Sequence, residues 1–258
     1  MLRSLNEIIR FQLQGIDEEI GRCKYFLFDD KFWGVRYMVA DTNKWLPGGR
    51  KILISPISLC APNWEEHQFP INLTREEVKN SPALDEHQPI SHLYESELFK
   101  YYGYGNHWTD KALWEGYPSP SPLVDANVLK DSTQVKAEDQ HLRSTDEVKG
   151  YEIHATDQKI GHIDGFILND EDWSIPYIVV DTRNWLPGGY KVLISHKCIE
   201  AVNWAEGSIV VNVSAQKIKD SPPFDLERLI DPQYEIHLRQ YYDLSQDSKY
   251  SQDLKDRL

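Results

Sequence analysis

The stretch Asp41-Thr42-Asn43-Lys44-Trp45-Leu46-Pro47-Gly48-Gly49 returns 140 positions later as Asp181-Thr182-Arg183-Asn184-Trp185-Leu186-Pro187-Gly188-Gly189. Working outward from it, the register holds without a gap from Leu2/Leu142 to Tyr102/Tyr242, with roughly two positions in five identical. A duplicated unit of about 100 residues is too long for a solenoid repeat and suits a small domain. The chain therefore reads as two copies of one fold, and each copy tests what the other needs.

Each copy shows short strand-like runs separated by turn residues. Ile8 to Gln14 alternates around Ile9, Phe11 and Leu13 and predicts a half-buried strand. Cys23 to Phe28 (Ile163 to Leu168), Val35 to Asp41 (Ile175 to Asp181) and Lys51 to Ser55 (Lys191 to Ser195) predict three more. Two further runs lie near Ser58 to Trp64 and Phe69 to Leu73, matching Cys198 to Trp204 and Ile209 to Val213. In the Leu-Pro-Gly-Gly turn, proline presets φ and a glycine supplies the positive φ of a tight reversal, so Gly48 or Gly49 and Gly188 or Gly189 are expected there. Strands at this spacing with Gly and Pro at the joints predict a mainly β fold: two tandem small β-barrels, each followed by short α-helices.

The period then changes. Thr74-Arg75-Glu76-Glu77 has capping-box spacing and predicts a short helix that stops before Ser81-Pro82. A second helix is expected over Ser91–Tyr102, matching Asp231–Tyr242, with one stripe of Tyr94, Leu98 and Tyr101 repeated as Tyr234, Leu238 and Tyr241. The resulting domain map is repeat 1 over 1–108, a Pro/Ser-rich linker over 109–140, repeat 2 over 141–243 and a polar tail over 244–258. Trp108, Trp114 and Tyr117 are unusual for a linker and are expected to pin it to a barrel.

A formal net charge of -13 argues against nucleic acid or an anionic membrane as the main partner. Cys23, Cys60 and Cys198 have no cysteine at the matching position of the other copy, so the repeat needs no thiol. An odd, unpaired set fits a reducing, cytoplasmic setting. No run approaches the length of about 18 apolar residues that suggests a membrane span.

Candidate chemistry is sparse. The nine histidines include no HExxH pair, and none aligns with a histidine in the other copy. Asp170-Glu171-Asp172 lacks the glycine and distal glutamate of a calcium loop and reads as a solvated acidic turn. Asp41 and Asp181, just before the turn, are expected to bond turn amides rather than act as catalytic acids. The paired tryptophans Trp33/Trp173, Trp45/Trp185 and Trp64/Trp204 read first as packing, with Trp45 and Trp185 the pair expected to face a partner. No catalytic residue, metal site or cofactor is predicted.

The D-T-x-x-W-L-P-G-G turn, the K-[IV]-L-I-S strand after it, the S-P-x-x-D segment and the closing aromatic helix resemble the PRC-barrel family, named for the cytoplasmic barrel of the photosynthetic reaction centre H subunit. The resemblance covers Ile8–Trp108 and Val148–Tyr242. It implies barrel domains used as adaptors or assembly modules, so a non-enzymatic scaffold is the expected function. An RNA- or ribosome-associated adaptor, resembling the barrel of a ribosome maturation factor, is the alternative; a small-ligand sensor or an enzyme is the third. The aromatic stripes are expected to pair the two repeats with each other about an approximate twofold; the alternative is that each helix packs on its own barrel.

Overall fold

Each repeat is organised by one long strand with more edge than its neighbours in sequence can cover. In a computed structural model describing residues 1–45, 48–84, 90, 92–104, 142–183, 185, 189–225 and 230–244, the elements of the first repeat are β1 (Leu2–Ser4), α1 (Leu5–Ile8), β2 (Gln12–Gln14), β3 (Glu19–Asp29), β4 (Gly34–Asp41), β5 (Lys51–Ile54), β6 (Gln68–Pro70), α2 (Arg75–Asn80) and α3 (His92–Tyr102). The second repeat gives β7 (Leu142–Ser144), α4 (Thr145–Val148), β8 (Glu152–His154), β9 (Lys159–Asn169), β10 (Tyr177–Asp181), β11 (Lys191–Ser195), β12 (Ile199–Asn203), β13 (Ser208–Val211), α5 (Ala215–Lys219) and α6 (Pro232–Tyr241). The protein is mainly β, with two mixed sheets and short helices.

One sheet runs β5-β4-β3-β2-β6, with β2 and β6 parallel and the other neighbours antiparallel. Strand β3 pairs with β2 only over Glu19–Arg22, and with β4 from Arg22 to Asp29. Its far half, Leu27–Asp29, would leave backbone donors and acceptors open on the side that β2 does not reach. Strand β7 fills that edge, and it comes from the start of the second repeat. The other sheet runs β11-β10-β9-β8-β13-β12, and its long strand β9 is completed over Ile167–Asn169 by β1 from the start of the first repeat. The compact units therefore do not follow the repeat boundaries. One contains Met1–Asn6, Thr145–Asp170 and Ser174–Leu258; the other contains Glu7–Ser144 with Glu171–Trp173.

That second unit also takes in Trp173. The Val35 amide donates to the Trp173 carbonyl at 2.8 Å, and the ring packs 6.3 Å from Phe26 and 6.0 Å from Phe69. The hydrogen-bonded paths stay open among the described residues, so the strand ladders alone do not make the expected closed barrels.

The predicted strand over Ile8 to Gln14 is only partly strand. Leu5–Ile8 is a helical turn, and Arg10 takes φ +82 before pairing resumes at Gln12. The twin of Arg10 is Gly150, at φ +94, which is the signal for the break that alternation hides. The same logic runs through the fold: Trp33 and Trp173 (φ +56 and +60), His67 and Gly207 (+54 and +64), and Gly103 and Asp243 (+71 and +58) are positive-φ pairs in the two repeats.

Both predicted helices form in each repeat. Thr74 accepts from the Glu77 amide while Glu77 reaches back to the Thr74 amide, completing the capping box of α2. In the second repeat Ser214 caps α5 alone, accepting from the Lys217 amide at 3.2 Å, and Asp231 caps α6. Asp17 and Asp157 add a support absent from the sequence reading: each accepts the first amide of its short helix, from Arg75 at 2.9 Å and from Ala215 at 2.8 Å.

The aromatic stripes are used inside their own units. Leu98 is fully buried in a cluster with Leu27, Tyr37, Val39, Leu53 and Phe99, and Tyr94 packs against it. Tyr94 donates to the Pro82 carbonyl and Tyr101 to the Glu77 carbonyl. In the second repeat Leu238 is fully buried, Tyr234 donates to Pro222 and Tyr241 to Lys217. Leu98 and Leu238 therefore cannot serve as a contact surface. The reason is that the helix closes over its own sheet and its hydroxyls serve the ends of the preceding helical segment. The linker 109–140 and nearly all of the tail lie outside the described residues, with Trp108, Trp114 and Tyr117.

Replacing Gly150 by alanine is expected to cost about 1 kcal/mol, because a Cβ there meets no atom within 4 Å and the penalty is conformational alone. Arg10→Gly is expected to be neutral or mildly stabilising. Chemical denaturation of the two variants checks both signs.

Candidate interaction site

The repeated turn is clamped by its threonine. Thr42 Oγ1 donates to the Arg50 carbonyl at 2.7 Å and accepts from the Arg50 amide at 2.9 Å, tying the two sides of the turn together. Thr182 does the same with Tyr190, at 2.6 and 3.0 Å. Both threonines are buried, and their carbonyls accept the amides of Trp45 and Trp185 at 3.0 Å. The aspartate and the glycines of the motif do not reveal this clamp; the recurrence of threonine at Thr42 and Thr182 is its signal in the sequence.

Asp41 and Asp181 accept from the amides of Asn43 and Arg183, each at 3.0 Å. Gly48 sits at φ +68, whereas Gly49 and Gly189 are required for a different reason. A Cβ on either would lie 2.4 Å from the threonine carbonyl oxygen, far inside contact distance. Pro47, Pro187 and Gly188, with Leu46, Asn184 and Leu186, lie outside the described residues.

The tryptophans on these matching frames have different surroundings. Trp45 donates from Nε1 to Glu19 Oε1 at 2.7 Å and lies 5.3 Å from the Arg22 guanidinium; its carbonyl accepts from Arg75 at 3.1 Å. Arg75 is itself paired with Glu18 at 2.5 Å. The corresponding residues of the second repeat are Lys159, His162, Ala215 and Gln158, which cannot reproduce that set. Lys159 instead pairs with Glu152. Trp185 is 39% exposed, among the most exposed large apolar side chains of the described residues. Two positions before it, the Arg183 side chain is 60% exposed and its guanidinium is held by both carboxylate oxygens of Asp181. Tryptophan and an oriented arginine are the residue types that dominate binding energy at protein interfaces.

The Arg183 guanidinium holds the Asp181 carboxyl down at about 2, against the smaller opposing effect of its burial. Tyr37 donates to Glu95 Oε1 at 3.0 Å, joining β4 to α3, and burial keeps the phenol well above its usual range. Tyr177 and Glu235 are buried at the matching positions. Cys23 and Cys198 are buried, and burial pushes the Cys198 thiol up to about 11, away from a thiolate nucleophile. No group of three or more His, Cys, Asp and Glu among the described residues is placed to hold a metal ion, and no described helix is long and apolar enough to cross a membrane.

No protein-family model matches the sequence, and no curated protein is found as a relative.

Gly49→Ala and Gly189→Ala are each expected to lower the melting temperature more than Gly48→Ala, since they drive a methyl into backbone. Asp181→Asn gives a pH test. A carboxyl lowered to about 2 from its unfolded value contributes stability above about pH 4 and loses it as the pH falls toward 2. The variant should therefore be about 1 kcal/mol less stable at pH 7, an exposed partner reducing the full linkage value, and the gap should close on acidification. Denaturation curves across that range read it.

Proposed function

We propose that this chain is a non-enzymatic protein-interaction or assembly module of the PRC-barrel type. Its principal contact is the second-repeat turn that carries Arg183 and Trp185. The observation behind this reading is the divergence of two equivalent turns: Trp45 is tied down by Glu19 and Arg22, while Trp185 is exposed on a frame of the same geometry. An interaction residue gains from such a frame, because the backbone that carries it is already tied by the threonine clamp and has less conformational freedom to lose on binding. Arg183, aligned by Asp181, offers a planar donor fork for a partner carboxylate or carbonyl. The resemblance of the turn, the following strand and the aromatic helix to reaction-centre H-subunit barrels supports the same class of use. The acidic balance of the chain fits a protein partner better than an RNA one.

The test is capture from the native host with the intact chain and with two variants. Trp185→Ala is expected to lose the bound protein at least tenfold without changing the melting temperature. Trp45→Ala is expected to lower the melting temperature and retain the partner. Retention of all partners by Trp185→Ala refutes the assigned contact, and recovery of bound RNA insensitive to that change would favour a ribosome-associated adaptor.

A further inference from the structure

The two strands that complete β3 and β9 have the same sequence, Leu-Arg-Ser. They also dock in the same register. Leu2, Arg3 and Ser4 face Asn169, Leu168 and Ile167, while Leu142, Arg143 and Ser144 face Asp29, Phe28 and Leu27. Each receiving edge thus takes the segment of the opposite repeat, with the same residue at each place. Three contacts beyond the ladder define what is read. The leucine is an apolar anchor: Leu2 is buried against its sheet, and Leu142 packs on the cluster around Tyr37 and Leu98. In the first-repeat sheet the arginine finds an acid just past the receiving strand, with Arg143 Nε 2.9 Å from Asp30 Oδ2; in the second-repeat sheet the equivalent acid, Asp170, pairs with the Met1 amino group. In the second-repeat sheet the helical turn that follows adds Leu5, which is buried, and Asn6, which donates to the Asp164 carbonyl. Gly165 makes room for it, since a Cβ there would stand 2.7 Å from Asn6 Nδ2.

We propose that the half-edges of β9 (Ile167–Asn169) and β3 (Leu27–Asp29), which β8 and β2 leave open, are strand-docking sites for an extended Leu-Arg-Ser segment, and that a second copy of this chain can supply it. The chemistry is β-augmentation: main-chain hydrogen bonds give the affinity, and the leucine and arginine give the selection. Covalent connection favours the chain's own segment through its high local concentration, and a segment from another chain makes identical contacts once that advantage is removed or outcompeted. This inference does not depend on the function proposed above.

The test vacates one site. In a chain lacking residues 1–6, the unit built on Glu7–Ser144 keeps every strand of its sheet, while the β9 edge is open. A fluorescent peptide with the sequence of Met1–Ile8 is expected to bind this shortened chain saturably and raise its melting temperature. The same peptide with Arg3→Pro should bind at least tenfold more weakly. If the shortened chain folds only with peptide, that rescue is itself the positive result. Equal binding of both peptides, or binding of neither, overturns the docking site. The intact chain supplies a second measurement. Labelled with donor or acceptor dye at Cys60, the exposed cysteine, and refolded as a mixture at rising concentration, it should yield dimers showing energy transfer. Monomer alone at every concentration overturns exchange with a second copy.

Discussion

Strands β3 and β9 are each eleven residues long, and the short hairpin strand beside them covers less than half of one edge. Every uncovered peptide on a sheet is a donor or acceptor that must find water or a partner, and these halves are buried on both faces. The fold meets the constraint with a three-residue strand taken from the other repeat. The rest of each unit follows from that solution. The ladder between β3 and β4 takes an extra residue in β3 at Lys24 and one in β4 at Arg36, and beyond these irregularities the far half of β3 pairs with β7. The far half then carries Leu27 into the cluster that α3 covers with Leu98 and Phe99.

The helix is fixed to the sheet by a polar pair as well as by burial. A carboxylate inside a small apolar core is costly unless a donor meets it, and Tyr37 provides that donor to Glu95 from the adjacent strand. Tyr37 is fully buried and Glu95 nearly so, which makes the pair a register device: sliding α3 by one residue would leave both groups unmatched. The identical Tyr and Glu in the second repeat, buried at the same places, indicate that the device belongs to the fold. It also explains why Leu98, at the centre of the stripe, is not a free surface. Once Glu95 is drawn inward, Leu98 must follow one turn later.

Much of this was legible because the sequence contains its own comparison. The strands from Cys23, Val35 and Lys51, the capped helix at Thr74 and the aromatic helix all follow from periodicity and turn residues, whose physics is local. The exchanged strands were not legible. Leu2-Arg3-Ser4 and Leu142-Arg143-Ser144 are too short to show a period, and their partners lie more than 110 positions away. Their identity in the two copies was visible, yet nothing local distinguishes a strand that pairs at home from one that pairs across. The false continuation of strand through Arg10 has the opposite cause: alternation was present, and only the glycine in the twin marks the positive φ that interrupts it. At the turn, the sequence treats Trp45 and Trp185 as one pair, and the difference between them rests on Glu19, Arg22 and Arg75, which are distant in sequence.

The pattern of identity and divergence separates constraint from use. Residues whose loss would leave buried groups unpaired are the same in both repeats: the Leu-Arg-Ser strand, the clamping threonine, the buried tyrosine and glutamate, and the close-approach glycine that follows the turn. The set around the first tryptophan, by contrast, is replaced wholesale by Lys159, His162 and Ala215, although the turn beneath keeps the same clamp at the same distances. Loss of those tethers removes an indole hydrogen bond and a cation–π contact, and leaves a large apolar ring facing water. The second turn keeps the threonine clamp of the first and carries an exposed tryptophan beside an arginine aligned by its own aspartate, so what has diverged is the surroundings of the ring and not the hydrogen bonds that hold its backbone.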